Sequence, residues 1–115
     1  MLPDRVKLSK TATDKLRNMK ANTGLTPNIL ARIAIMLAIK DGSTLTNAGV
    51  ADAEGQELNK SVLFGEYANT YEVLINQFIH DNDIEQPIQQ TIAALVEIGV
   101  HKIGHVKNIS DLCEI

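Results

Sequence analysis

The sequence predicts a mostly helical protein, a compact bundle of about four helices preceded by a short extended segment and assembled as an oligomer. Three observations predict this all-α class. Apolar residues recur at helical spacing in four stretches. Glycine or proline marks most of the boundaries between them. One stretch is apolar on more faces than a small domain can cover. The 115 residues, 44% of them hydrophobic, fit a single domain over 1–115 that buries a core.

The first predicted element is the short extended segment, residues 4–8. Its side chains alternate in character, so that Arg5 and Lys7 point one way while Val6 and Leu8 point the other. The alternation indicates a strand with one apolar and one basic face.

A first helix is predicted between Ser9, whose hydroxyl is typical of a helix start, and Gly24, which is typical of a helix end. Lys15 and Lys20 flank its apolar stripe, where their methylenes can cover apolar surface while the ammonium groups reach solvent or phosphate. The stripe consists of Ala12, Leu16 and Met19.

A second helix is predicted from Pro27 to Lys40, because Thr26 followed by proline is a strong helix entry. Its apolar residues cover one side and also the opposite side. The first side is expected to hold Ile29, Leu30, Ile33, Met36 and Leu37, and the other Ile35 and Ile39. Two explanations compete, a central buried helix or a helix whose second face meets another copy of the chain. The small size of the protein favours self-association.

Residues 41–57 lack periodicity and contain three glycines, which predicts a mobile loop. A third helix is predicted over 66–81 and a fourth from Pro87, with a short turn over 108–115. Gly99 lies in the apolar stripe of the fourth helix, where the absence of a side chain permits close helix approach. The face of the third helix is expected to consist of Tyr67, Tyr71, Leu74, Ile75 and Phe78.

Charge divides the chain into a basic first third and an acidic remainder. Residues 1–40 carry eight Lys and Arg against two Asp, a net +6, and residues 41–115 carry three Lys against twelve Asp and Glu, a net −9. Together these give the net charge of −3 for the whole chain. A basic segment attracts polyanions even in an acidic protein, because binding depends on the field at the contact surface. The division makes nucleic acid a candidate partner, with simple solvation of an exposed helix as the alternative.

No catalytic, metal or cofactor site is predicted. Glu97, His101 and His105 have the spacing of metal ligands on one helix face, but Lys102 stands where a zinc-protease helix carries its general base. We interpret these histidines as solvated or packing residues. The single cysteine, Cys113, has no fixed basic neighbour to activate it, and no glycine-rich phosphate loop is present. The chain is therefore predicted to be a binding subunit and not an enzyme.

A cytoplasmic location without a membrane partner is expected. The first ten residues carry charges where an export signal would be apolar, and the charge-free run over 33–39 is too short to cross a bilayer.

The first 40 residues resemble a ribbon-helix-helix unit, with a basic strand, a helix, a Gly-Leu-Thr-Pro turn and a second helix. In that family two chains pair their strands, and outward strand residues, here Arg5 and Lys7, read base edges in the major groove. This resemblance implies an alternative function, a transcriptional regulator that binds operator DNA as a dimer.

Three motifs occur in order along the chain: TGLTPNILARIA, ELNKSVLFGEY, and a final helix with VEIGVHKI that contains Gly99. Through these motifs nearly the whole chain resembles the DndE family. DndE is the small subunit of the bacterial DNA phosphorothioation (Dnd) system, which replaces a non-bridging phosphate oxygen of DNA with sulfur. The resemblance implies a helical, non-catalytic, DNA-binding tetramer. It also implies partner subunits, a cysteine desulfurase, an iron–sulfur protein and an ATPase, that carry the chemistry.

The predicted DNA contacts come from the basic first third and consist of Arg5, Lys7, Lys10, Lys15, Arg17 and Lys20. No aromatic residue lies near them in sequence, so stacking on unpaired bases is not expected. We expect binding to the phosphates of double-stranded DNA with little reading of sequence. The presumed pathway and the easy bending of an interrupted strand favour a nicked duplex. A further alternative is an adaptor that docks basic proteins through its acidic helices.

Overall fold

The computed structural model describes residues 2–40 and 54–103, and this part of the chain is mostly helical. Four helices of 14 to 16 residues confirm the predicted class. A five-residue helix and a 3-10 turn over Gly65–Tyr67 precede the third of these four helices. The order is β1 (Arg5–Lys7), α1 (Lys10–Thr23), α2 (Pro27–Lys40), β2 (Glu57–Asn59), α3 (Lys60–Phe64), α4 (Ala68–Asp81) and α5 (Ile88–Ile103).

Local capping chemistry sets both ends of α1, as the sequence predicts. The Ser9 hydroxyl accepts a hydrogen bond from the Ala12 N–H at 3.0 Å. Gly24 adopts the left-handed conformation with φ of 79°, and its N–H donates to the Lys20 carbonyl. The cap supplies an acceptor for an otherwise unpaired N–H, and glycine takes the left-handed φ without steric cost.

A two-stranded antiparallel sheet replaces the single extended segment that the sequence predicts. β1 pairs with β2 so that Val6 lies opposite Leu58, and both side chains are buried. The prediction of a loop over 41–57 was wrong at Glu57, which begins β2, and residues 41–53 lie outside the described residues. A three-residue strand is too short for its alternation to be recognised, and its pairing with β1 is a contact between residues distant in sequence.

The central helix is α5. Every residue from Thr91 to Val100 is buried, and α2 packs against this helix. Gly99 contacts the Ala34 backbone so closely that an added Cβ would overlap the Ala34 carbonyl. The predicted role of Gly99 in close helix approach is therefore confirmed.

The buried side of α2 combines residues from both predicted apolar sides. Ile35 is fully buried, whereas Met36 is 43% exposed and Ile29 is 36% exposed. The prediction weighed large apolar residues, but alanines define much of this contact side because only small side chains allow α2 to lie close to α5. The buried residues of α2 are Leu30, Ala31, Ala34, Ile35 and Ala38.

The apolar face of α4 is partly as predicted. Tyr71, Ile75 and Phe78 are buried, but Tyr67 is half exposed and precedes the helix. The 3-10 turn that contains Tyr67 has a different residue spacing from α4, which removes Tyr67 from the stripe.

Within the described residues, no single helix is long and apolar enough to cross a membrane. α1 and α2 meet that criterion only when taken together, and they are bent by 109° at the break between them. The predicted turn over 108–115, with Cys113, and His105 lie outside the described residues.

Candidate nucleic-acid interface

Arg5 and Lys7 share the exposed face of the sheet, while Val6 between them points into the core. Lys7 lies opposite Glu57 in the strand register. The Arg5 Nη1 atom is 3.8 Å from the Glu57 Oε2 atom, and both side chains are largely exposed. Solvent screens an ion pair of this kind, so it holds the guanidinium weakly. Lys7 has no ion-pair partner among the described residues, and both cations are open to an external anion.

A backbone network fixes the junction between β1 and α1. The Leu8 N–H donates to the Gln56 carbonyl at 3.0 Å, and the Gly55 N–H donates to the Leu8 carbonyl at 2.9 Å. The Thr13 hydroxyl donates to the Ser9 carbonyl at 2.8 Å and accepts from the Gln56 N–H at 2.8 Å. Gly55 leaves no room for a Cβ, which would overlap the Ser9 carbonyl. The segment before β2 therefore locks the orientation of β1 relative to α1.

A buried carboxylate anchors the start of α1 to α5. The Ser9 hydroxyl donates to the Glu97 Oε2 atom at 2.9 Å, and both residues are buried. The first turn of α1 contains no acidic residue. Glu97 supplies the negative charge that the positive end of the helix dipole favours. The helix that carries four predicted DNA contacts is thus held at a defined position.

The cations of α1 fall into separate groups. Lys10 and Arg17 are seven residues apart, which places them within about 20° of each other around the helix axis. Both are exposed, and the Arg17 Nη1 atom lies 3.5 Å from the Asp14 Oδ1 atom. Lys15 lies about 140–160° around the axis from this pair. Lys20 is exposed in the last turn, where the helix dipole favours a cation.

Lys15 forms a contact that the sequence does not reveal. Its Nζ atom lies 2.8 Å from the Nδ1 atom of His101, 86 residues away, in the last turn of α5. His101 and Glu97 thus have different partners, and no group of three potential metal ligands occurs within residues 2–40 and 54–103. The pairing with Lys15 depends on the packing of two helices, so no local sequence signal could have identified it.

Arg32 is a cation of the basic first third with a structural role. Its Nε–H donates to the Leu63 carbonyl at 2.6 Å, and its guanidinium lies 5.9 Å from the centre of the Tyr67 ring. The Tyr71 hydroxyl donates to the Arg32 carbonyl at 3.2 Å. These contacts tie α2 to α3 and α4, which supports leaving Arg32 out of the predicted DNA contacts.

Lys60 is a cation beside β1 that the sequence analysis missed. Its backbone N–H donates to the Asp4 carbonyl at 2.7 Å, directly before Arg5. The sequence signal for this neighbourhood is the short ELN alternation before Lys60. It indicates that Lys60 lies beside β1 only once β2 is known to pair with β1.

The pairing of β1 within one chain bears on the class of protein. A ribbon-helix-helix dimer pairs equivalent strands of two chains, whereas β1 here pairs with β2 of the same chain. The small sheet, the central α5 and the basic α1 therefore define a helical fold of another class.

Comparison with known proteins identifies that class. Residues 5–111 match the family model described as DNA sulphur modification protein DndE. The crystal structure of DndE from Escherichia coli B7A, involved in DNA phosphorothioation modification, is similar with a TM-score of 0.75 at 30% identity, covering 90% of this chain and 99% of that one. A glycine-to-lysine mutant of DndE gives a TM-score of 0.73 at 27% identity with the same coverage. No curated protein matches the chain.

The fold is thus that of the small helical proteins of DNA sulphur modification. The chain belongs to the DndE family. This family assignment confirms the resemblance of the three sequence motifs and connects the chain with the Dnd system. The six predicted DNA contacts remain predictions.

Proposed function

We propose that this chain is the non-catalytic DNA-binding subunit of the Dnd phosphorothioation machinery. In this proposal it holds double-stranded DNA, intact or nicked, by its backbone phosphates and reads little sequence. The observation that carries the proposal is the rigid display of cations over a buried polar network. Arg5 and Lys7 share one sheet face, and Lys10 and Arg17 share one helix face. The Ser9–Glu97 hydrogen bond fixes the start of α1 against α5, and the backbone hydrogen bonds of Leu8 fix the end of β1.

The distribution of aromatic residues supports phosphate contact over base reading. All four aromatic residues of the chain lie within residues 64–78, away in sequence from β1 and α1. Base stacking on a protein needs aromatic or guanidinium planes, and contacts to phosphate carry no sequence information directly. Long exposed cationic side chains on two fixed elements are suited to the regular charge of a duplex.

The outer face of α2 supports the proposal of a homotetramer. Ile29 and Met36 lie about 20° apart around the helix axis and are exposed, opposite the side that packs on α5. An apolar helix face of this kind is typical of an interface. Several copies of the basic segment in one assembly would strengthen a weak individual attraction to DNA. The proposed setting is the cytoplasm, with other Dnd subunits as partners that supply the chemistry.

Fluorescence anisotropy with a labelled duplex at increasing salt tests the proposed function. If four to six phosphates are neutralised, the slope of log affinity against log salt is about −4 to −5. The double variant Lys10→Gln with Arg17→Gln removes two contacts. We expect it to reduce the magnitude of this slope by about two and the affinity at low salt by about tenfold.

The matched control is Asn69→Asp with Asn76→Asp, which changes the net charge equally at exposed positions of α4. It should bind nearly as tightly as the wild type. If the Lys10 and Arg17 variant bound the duplex as tightly as the wild type, this would contradict the proposed surface. Absence of binding to both intact and nicked duplex would contradict the proposed function. Strong discrimination between unrelated duplex sequences would favour a sequence-specific regulator instead.

A further inference from the structure

We infer that Lys15 and His101 act as one phosphate-binding pair, on the flank of α1 away from Lys10 and Arg17. The inference rests on the proposed function and adds to it a residue of α5. It assigns His101 a role in binding the DNA backbone and predicts that this role depends on Lys15.

The geometry defines which atoms can donate to a phosphate. An ammonium group has donors only, so at 2.8 Å the Lys15 Nζ atom donates to Nδ1 of His101. Nδ1 is then the accepting ring nitrogen in this contact, which leaves Nε2–H as the ring donor. The pair retains two ammonium hydrogens and one Nε2–H, which are three donors. Nδ1 and Nε2 point to opposite sides of the ring, so the ammonium and the Nε2–H suit non-bridging oxygens of two neighbouring phosphodiesters of one strand.

Both members of the pair stand on fixed elements. Leu16, beside Lys15, is 1% exposed, and Ile103, two residues after His101, is fully buried. The hydrogen bond restricts an otherwise flexible lysine side chain before DNA arrives, which reduces the conformational entropy lost on binding. His101 is exposed at the surface of α5, whereas Lys15 is half-buried on α1. The donors thus lie at the edge of the contact between the two helices.

Charge at this position also favours an external anion. Among the described residues, Lys15 has a hydrogen bond to His101 and no ion pair with a carboxylate. Arg5 and Arg17 differ, since each lies near an acidic side chain. An anion that approaches Lys15 therefore displaces no carboxylate.

The competing explanation is that the hydrogen bond only joins α1 to α5. Duplex affinity and thermal stability, both measured for single and double variants, separate the two explanations. The variants are Lys15→Ala, His101→Ala, both together, and His101→Gln, with His80→Ala as the control. His80 is an exposed histidine at the end of α4.

We expect Lys15→Ala to lower duplex affinity about fivefold and to reduce the magnitude of the salt slope by about one, because a charge is lost. His101→Ala should lower affinity about threefold to fivefold with an unchanged slope, because a hydrogen-bond donor is lost while the Lys15 charge remains. The double variant should lose less than the product of the two single losses, since each member depends on the other. His101→Gln keeps an acceptor for Lys15 and a donor for phosphate and should stay within about twofold of the wild type.

Wild-type affinity in His101→Ala, with or without a lowered melting temperature, would overturn the inference in favour of a purely structural contact. A double variant whose loss of affinity equals the product of the two single losses would also overturn the inference. A loss in His80→Ala as large as that in His101→Ala would do the same. If the Lys10 and Arg17 variant shows its expected loss of affinity and the His101 variants show none, the inference is rejected and the proposed function is not. No salt-dependent duplex binding by the wild type would reject the proposed function itself.

Discussion

Ser9 and Glu97 form a buried hydrogen bond of 2.9 Å across 88 residues of sequence. The same Ser9 oxygen accepts from the Ala12 N–H and so caps α1. One hydroxyl thereby satisfies a helix end and a buried carboxylate. Burial of a carboxylate is costly unless hydrogen bonds compensate it, so the cap of α1 and the buried Glu97 carboxylate depend on each other.

Replacing Ser9 by alanine should destabilise the fold by about 2–4 kcal/mol, because a helix cap is lost and a buried carboxylate loses its donor. Glu97→Gln keeps an acceptor for the hydroxyl and should cost less. Chemical denaturation measures both changes. Asn59→Ala is the matched control, since Asn59 caps α3 through the Val62 N–H and has no carboxylate partner within residues 2–40 and 54–103. Its expected cost is about 1 kcal/mol. A Ser9→Ala loss no larger than this would contradict the role of Glu97.

Gly99→Ala should destabilise the protein although alanine is the better helix former. Alanine is favoured by about 1 kcal/mol in a helix, but overpacking against a backbone carbonyl costs more. We expect a net loss of about 2 kcal/mol in the free energy of unfolding, because Ala34 cannot move without moving α2. Ala21→Gly, at an exposed position of α1, measures the propensity effect alone and should cost about 1 kcal/mol. Stabilisation by Gly99→Ala would show that the two helices separate readily.

The sequence predicted those features that local chemistry determines. Ser9 and Gly24 fix α1 through interactions within a few residues, so both boundaries are recognisable. The partner of β1 and the partner of Lys15 are not, because 50 to 54 residues separate the paired residues of β1 and β2, and 86 separate Lys15 from His101. Periodicity also failed for α2, where alanine and not the larger residues marks much of the buried side. Neighbouring residues determine where a helix begins and ends, whereas contacts between residues far apart in sequence determine which of its faces is buried.

Arg32→Gln should reduce stability by about 1–2 kcal/mol, since contacts with the Leu63 carbonyl and the Tyr67 ring are lost. The duplex affinity of the folded variant and its salt slope should not change, because this cation is already engaged in the fold. Lys7→Gln is the opposite case. It should leave the melting temperature unchanged and reduce the magnitude of the salt slope by about one. A smaller magnitude of the salt slope in Arg32→Gln would indicate that Arg32 also contacts the DNA.

Burial raises the pKa of the Tyr71 hydroxyl above the ordinary tyrosine value, and the nearby Arg32 charge offsets this only in part. The folded protein therefore holds this proton more tightly than the unfolded chain does. The resulting stability is fully present below the ordinary value of about 10 and is lost as the pH rises through the folded pKa. Unfolding measured above about pH 9 in wild type and Tyr71→Phe tests this, since the variant should lose less stability over that range. If stability fell equally with pH in the wild type and in Tyr71→Phe, Tyr71 would not be the cause of the loss of stability.

Met36→Lys should disrupt the proposed self-association, because it places a charge on the exposed apolar face of α2. Light scattering measures the mass of the assembly. Val73→Lys, at a 68% exposed position of α4, is the control and should keep the wild-type mass. A Met36 variant of unchanged mass would exclude this face as the interface. A wild type that scatters as a single chain would exclude the tetramer.

The antiparallel pairing of β1 with β2 has a consequence for synthesis on the ribosome. Arg5, Lys7 and the cations of α1 are made before the elements that hold them, since β2 follows β1 by 50 residues and Glu97 follows Ser9 by 88. A nascent chain that ends before β2 carries these cations without the strand and the carboxylate that position them. The arrangement of these charges is completed only when α5 has been made, so incomplete products lack the surface that the finished chain displays.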